Sequence, residues 1–313
     1  MRNSYEAEQP TPLALWTSRV AVFSACVLLS GLMLHRLFSM PTPVMLNLVG
    51  FGFAGAVLAL ILAAVASLVM WFRGGEGAAR IVFGSLIALG VLAWPASAIP
   101  TMMSLPSIND VTTHPEQPPP FVRVTRQRPE GANSTQYPGE AFATIQKVAY
   151  PDLKPLIIRR SVNETFEVAV QAIRRLEMEI VREAQPGKSE QQPGYIEAID
   201  STLILGFRDD VVVRVYGTEN AARIDVRSAS RYGKHDFGRN AKRVRRVLKE
   251  IVARLEATVI GVKPKKAVAE PKLEQKPVVK RKVKRKRRAK RRTKRYRRKR
   301  DYRRHLRSQG FFQ

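Results

Sequence analysis

The stretch "GYIEAIDSTLILGFRDDVVVRVYGTENAARIDVRS", residues 194–228, alternates apolar and polar positions and is rich in β-branched residues. A period of two is that of a strand with one face buried. It predicts three strands, "GYIEAIDSTLILGF", "VVVRVY" and "ARIDVRS", with tight connections at Arg208-Asp209-Asp210 and Gly217–Asn220. Connections this short favour an antiparallel meander.

Moving upstream, "SVNETFEVAVQAIRRLEMEIV", residues 161–181, opens with Ser161 and has Glu164 three positions on, a capping box. Phe166, Ala169, Val170, Ile173, Leu176 and Ile180 then repeat at helical spacing. Residues 123–150 read as loop, with one short strand near Ala143–Val148. Downstream, a helix runs from about Phe237 to Ala257, N-capped by Asp236, with Val244, Leu248, Ile251, Val252 and Leu255 facing inward. The predicted domain, residues 105–262, is α+β, with helices packed on an antiparallel sheet.

Ahead of it, residues 1–104 read as a membrane region. Three runs contain no Lys, Arg, Asp or Glu: Val20–His35, Leu37–Phe72 and Ile81–Asn109. A bilayer core of about 30 Å needs about 20 helical residues, so the predicted spans are about 16–35, 44–72 and 81–98. Pro95 and Pro100 are expected to end the third. The first is read as a span rather than a cleaved signal, because its start is poor in charge and no A-x-A site follows. Arg19 is tolerated by snorkelling to the interface. Gly50, Gly52 and Gly55, with Ala54 and Ala56, form a small-residue stripe suited to close helix packing. The single cysteine, Cys26, lies within an apolar run and excludes an intrachain disulfide. Arg2, Arg19, Arg73 and Arg80 fall on one side of three spans and Arg36 on the other, which puts the domain outside the cytoplasm.

The formal net charge of +28 is concentrated at one end. Residues 263–313 hold 25 Lys/Arg against 3 Asp/Glu, whereas residues 105–262 hold 24 against 20. "KRKVKRKRRAKRRTKRYRRKR", residues 280–300, is basic at 17 of 21 positions. A segment that repels itself this strongly is expected to be disordered when alone. Its partner would be a polyanion: anionic lipid or an envelope polymer outside the cytoplasm, nucleic acid within it.

Charged and polar residues crowd "DVRSASRYGKHDFGRN", residues 225–240. Alternation sends Ile224 and Val226 to one face of the strand and Arg223, Asp225 and Arg227 to the other, where Arg214 on the neighbouring strand joins them. Two readings stand. In one, Arg227, Ser228, Ser230, Arg231, Asn240 and Arg243 make an anion-binding corner, since arginine forks match carboxylate or phosphate. In the other, Asp209, Asp210, Asp225 and Asp236 neutralise the arginines, including Arg214, in an internal polar network. The near balance of acids and bases favours the second. Ser230, His235 and Asp236 are too close in sequence for the usual triad, and no G-x-S-x-G elbow is present. The four histidines, at 35, 114, 235 and 305, lack ligand spacing, so neither a metal nor a cofactor is expected.

Four motifs in order, "INDVTTHPEQPPPF", "YPDLKPL", "IEAIDSTLILGFRDDVVVRV" and "IDVRSASRYGKHDFGRNAKRVR", resemble the DUF1499 family over about residues 107–255. That is a domain of unknown function found mainly in bacterial membrane or envelope proteins. The resemblance implies that Asp209, Asp210, Arg214, Asp225, Arg227, Ser228, Ser230, Arg231, Asp236, Gly238, Asn240 and Arg243 occupy family motif positions. It implies no reaction. The expectation is an integral protein of a bacterial inner membrane that binds or organises something anionic without catalysis. The alternatives are an enzyme using the Arg/Asp/Ser cluster, or a nucleic-acid-binding tether if the tail is cytoplasmic.

Overall fold

The computed structural model describes residues 11–187 and 192–258. The basic stretch at 263–313 lies outside the described residues, and so do the expectations that fall on it.

Three helices come first: α1 (Pro12–Phe38), α2 (Thr42–Arg73) and α3 (Ala78–Ser104). All three are long and apolar enough to cross a membrane, with mean hydropathies of 1.8, 2.6 and 1.9. At 1.5 Å per residue, the 27 residues of α1 reach roughly 40 Å, beyond the ~30 Å of a hydrocarbon core. Their contact seam repeats in steps of three and four: Ala14, Thr17, Ala21, Ser24, Leu28 and Gly31 on α1, and Met45, Val49, Gly52, Ala56, Ala59, Ala63 and Ala66 on α2. That spacing averages 3.5, the repeat of left-handed coiled packing. Lipid offers apolar side chains as much as a neighbouring helix does, so association rests on the close approach that small residues allow. A Cβ on Gly52 would stand 2.9 Å from the Leu28 Cβ and 3.1 Å from the Ser24 carbonyl oxygen. Gly50, grouped with it by sequence, has nothing within 4 Å and is not part of the seam. Cys26 is exposed on the outer surface of α1.

The third helix does not end at its prolines. It runs through Pro95 and Pro100 to Ser104. Unwinding it would strand further backbone groups, and in lipid those have no water to turn to. The Ser97 hydroxyl donates to the Trp94 carbonyl at 2.6 Å within this stretch.

The α+β domain follows. Its sheet is antiparallel throughout. A meander of β3 (Glu179–Ala184), β4 (Gly194–Ser201), β5 (Arg208–Gly217) and β6 (Ala222–Ser230) is completed by β1 (Asp110–Thr112), giving the order β1-β6-β5-β4-β3. The short β2 (Leu156–Ile158) pairs with the first residues of β6. Helices α5 (Val162–Arg175) and α6 (Arg239–Thr258) cover one face. There Phe166, Ala169, Ile173, Val244, Val247 and Ile251 pack on Ile196, Val211, Val213, Ile224 and Val226. The predicted helix faces hold for Phe166, Ala169, Val170 and Ile173, and for Val244, Ile251 and Leu255. Val247 is buried, however, and Val252 is only half-buried. Ser161 caps α5 by accepting from the Glu164 N–H at 3.2 Å. The Glu164 carboxylate pairs instead with Arg160.

Three sequence expectations are corrected. Helix α5 stops at Arg175, and Glu177 (φ +57°) turns the chain so that Ile180 lies in β3. Ala143–Val148 belongs to a helix, α4 (Glu140–Ala149), rather than a strand. On α4, Gln146 replaces a strand neighbour: its amide accepts from the Thr112 N–H at 2.9 Å and donates to the Thr112 carbonyl at 2.7 Å. This occupies the edge of β1, which would otherwise offer unpaired backbone groups. Finally, Thr202–Phe207 is a turn, and Arg208–Asp210 opens β5 rather than linking two strands.

Candidate functional site: two ionic networks on opposite faces of one sheet

Strand parity decides where the polar residues go. Ser228 and Ser230 share the helix face of β6 with Ile224 and Val226, while Asp225, Arg227 and Ala229 face the other way. The six predicted anion-site residues therefore divide. Ser228, Ser230, Asn240 and Arg243 meet under α6, whereas Arg227 and, just past the strand end, Arg231 belong to the outer face.

Under α6, Asn240 uses all four of its amide positions. Its oxygen accepts from Ser228 Oγ at 2.8 Å and Arg243 Nη1 at 2.7 Å. Its nitrogen donates to Ser230 Oγ and to the Asn109 carbonyl, both at 2.9 Å. Arg243 donates to Asp200 at 2.6 Å, Asp209 at 2.7 Å and Ser228 Oγ at 3.0 Å. Asp200 and Asp209 stand directly opposite each other on β4 and β5. Two carboxylates so placed repel, and the fork of Arg243 neutralises them together. Burial lowers the Arg243 pKa, but Asp209 and Asp200 outweigh it and the net shift is upward. Asp236 accepts from the Gly238 and Asn240 N–H groups, both at 2.8 Å, just ahead of α6. Burial raises its carboxyl pKa against those two bonds. The helix begins two residues later than predicted, because Phe237 (φ +54°) and Gly238 (φ +73°) are left-handed. A Cβ on Gly238 would also lie 2.9 Å from Leu105 Cδ1.

The outer face is covered by the segment from Thr113 to Tyr137, whose Phe121 and Val124 pack on Ile199, Val212 and Ala229. Arg227, 2% exposed, donates to both oxygens of Asp110 at 2.9 and 2.6 Å and to the Pro119 and Thr135 carbonyls at 3.0 and 2.8 Å. Its guanidinium lies 4.6 Å from the Phe121 ring centroid. Burial raises the Asp110 carboxyl pKa, opposed by the hydrogen bonds and charge of Arg227. Asp210 receives Arg231 at 2.7 and 2.9 Å and Arg128 at 2.7 Å. Buried Glu197 accepts three backbone N–H groups, from Val122, Arg123 and Val124, at 2.8–3.0 Å, and Arg182 at 2.9 Å. Asp225 receives Arg214 at 2.5 Å and Arg223 at 3.1 Å. His114 Nδ1 lies 3.6 Å from Asp225 and 3.2 Å from Arg214 Nη2.

The outer network is cation-rich, since Asp210 and Asp225 each serve two guanidiniums. It is also more open at one end. Arg214, Arg223 and His114 are 12%, 30% and 17% exposed in their side chains, against 2–5% for Arg227, Arg231 and Arg128. Arg214 and Arg223 lie 5.3 and 5.7 Å from the Tyr216 ring centroid.

Ser230, His235 and Asp236 do not bond one another. His235 Nδ1 accepts from the Phe237 N–H at 2.9 Å, which leaves Nε2 to donate to the Leu105 carbonyl at 3.2 Å. Among the described residues, no group of three or more His, Cys, Asp or Glu side chains is placed to hold a metal ion. Three carboxylates central to these networks, Asp110, Glu197 and Asp200, were not singled out by sequence, nor was Arg128. Glu197 carried a usable signal: an acid within an apolar strand, at the parity of Tyr195 and Ile199, must face a cation or backbone donors when buried.

The chain matches no curated protein and no solved structure. The family model described as "Protein of unknown function (DUF1499)" matches residues 110–251, which take in most of the α+β domain.

Proposed function

We propose that this is a membrane-anchored protein of a bacterial inner membrane whose domain, outside the cytoplasm, binds or organises an anionic ligand or surface without catalysis. One observation carries the reading: Asp225 neutralises only one of its two guanidiniums, and the side chains of Arg214 and Arg223 are 12% and 30% exposed, against 2–5% for Arg227, Arg231 and Arg128. Arg227, Arg231 and Arg243 of the expected anion corner hold the sheet, the covering segment and α6 together. The anion then meets the open end, at Arg214 and Arg223, with Tyr216 as an apolar wall. The basic residues at 263–313 supply a second, less selective attraction for polyanions. Arg19, Arg73 and Arg80 lie toward the end of the bundle away from the domain and Arg36 toward the near end, which supports an extracytoplasmic domain.

The test is thermal unfolding of the full-length protein in neutral detergent, with phosphate or sulfate added at constant ionic strength. A specific anion raises the midpoint by mass action, equivalent to about 2.7 kcal/mol at a hundred times its Kd. Arg223→Ala should remain folded and lose that shift. No shift in the wild type, or an equal shift in Arg223→Ala and Arg214→Ala, overturns the proposal.

A further inference from the structure

The turn between β4 and β5 has the wrong composition for water. Turns of soluble sheets are built from Gly, Pro, Asn, Asp and Ser. This one, Thr202-Leu203-Ile204-Leu205-Gly206-Phe207, carries four large apolar residues. Leu203 and Ile204 are 86% and 82% exposed, the two most exposed large apolar side chains of the described α+β domain. Fraying does not account for this, because the backbone is tied down. Thr202 N donates to the Phe207 carbonyl at 2.8 Å, Gly206 N to the Thr202 carbonyl at 2.9 Å, and Phe207 N to Thr202 Oγ1 at 2.9 Å.

Position supplies the reason. Phe207 packs against the cluster of Leu28, Met45 and Val49 at the domain end of α1 and α2. Its ring centroid is 6.0 Å from that of His35, and a Cβ on Gly206 would lie 3.5 Å from Arg36 Cδ. The turn is thus held beside the end of α1, level with the basic residues that close that apolar helix. Side chains that leave this turn away from the bundle reach the depth where headgroups give way to acyl chains.

We propose that the β4–β5 turn is a membrane contact of the α+β domain: Leu203 and Ile204 enter the apolar edge of the bilayer leaflet beside α1, with His35 and Arg36 at headgroup level. The occupant is lipid rather than a protein partner, because the patch continues the apolar surface of helices long enough to span. The contact fixes the tilt of the sheet relative to the bilayer.

The experiment uses the full chain in nanodiscs of zwitterionic phosphatidylcholine, which removes electrostatic attraction by the basic residues. In a Cys26→Ala background, Ile204→Cys carries an environment-sensitive fluorophore, with Leu203→Cys as a second position. Asn220→Cys, in the turn at the far end of β5, is the reference, roughly 30 Å away at ~3.4 Å per residue. Nitroxide lipids should quench the fluorophores at 203 and 204 several-fold more than that at 220, and aqueous iodide should show the reverse order. Equal lipid quenching at 204 and 220 overturns the proposal. So does protection at 204 from both quenchers, which would identify a protein partner or a second copy as the cover.

Discussion

Removing the Arg227 side chain is the most informative perturbation of the outer network. Arg227→Met keeps much of the side-chain volume against Phe121 and Tyr137 but deletes the charge and four hydrogen bonds. Asp110, only 3% exposed, is left as a buried carboxylate without its cation. Breaking one side of such a pair costs about 3–5 kcal/mol, a large part of the ~5–15 kcal/mol that holds a domain. For a domain of this size each kcal/mol moves the midpoint by roughly 2–4 °C, so the expected loss is roughly 6–20 °C. The assay is near-ultraviolet circular dichroism of full-length protein in neutral detergent, which follows tertiary packing in the domain. Adding Asp110→Leu removes the stranded charge, so the double variant should be more stable than Arg227→Met alone. Its recovery is incomplete, since the Pro119 and Thr135 carbonyls still lack their donor. A single variant within ~1 kcal/mol of wild type, or strictly additive losses in the double, would refute a buried pair as the source of the stability.

The pH dependence has a definite sign. Asp110 titrates above its ordinary value of 3.8 when folded, so the native state binds more protons than the unfolded chain between those two pKa values. Its contribution to stability is present below 3.8 and declines as pH rises through the folded pKa. The midpoint difference between wild type and Asp110→Asn should therefore fall as pH is raised from about 4 to 7, and an increase would contradict it. Gln146→Ala should speed hydrogen exchange at the Thr112 amide and cost about 1–3 kcal/mol, because a buried donor and acceptor lose their partner; unchanged exchange would show that other groups protect that edge. A reporter fused after Gln313 should be active only outside the cytoplasm if the domain lies there, and cytoplasmic activity would reverse the orientation.

The fold is legible wherever periodicity and local chemistry agree. Ser161 with Glu164 marks the start of α5, and Phe166, Ala169, Val170 and Ile173 mark its buried face. It is illegible where a short apolar run fits two periods. "EAFATIQKVA" contains β-branched residues, yet Ala143 and Gln146 are one helical turn apart and both buried. "STLILGF" reads as strand because its apolar content implies a core, yet it forms a turn that leaves Leu203 and Ile204 exposed. The site was legible by residue type but not by grouping. Arg227 and Ser228 are neighbours in sequence and on opposite faces of β6, as strand parity requires. Their partners arrive from far along the chain, Asp110 from β1 and Asn240 from α6, and no local pattern announces that pairing.

The place of β1 in the sheet governs the order in which the domain can be completed. Asp110 leaves the last apolar helix early in synthesis, but Arg227 lies 117 residues later. At ~5–20 residues per second that separation is about 6–23 s. The meander of β3 to β6 has only near neighbours to find, whereas β1 and the covering segment must wait for β6 and close over it last. Substitutions at Arg227 should then accelerate unfolding and leave the refolding rate nearly unchanged, a split that stopped-flow measurement on the two limbs reads directly. Until that closure, the edge of β6 and the charges of the outer face stand open to water, which makes the last strand to dock the first that the chain produced.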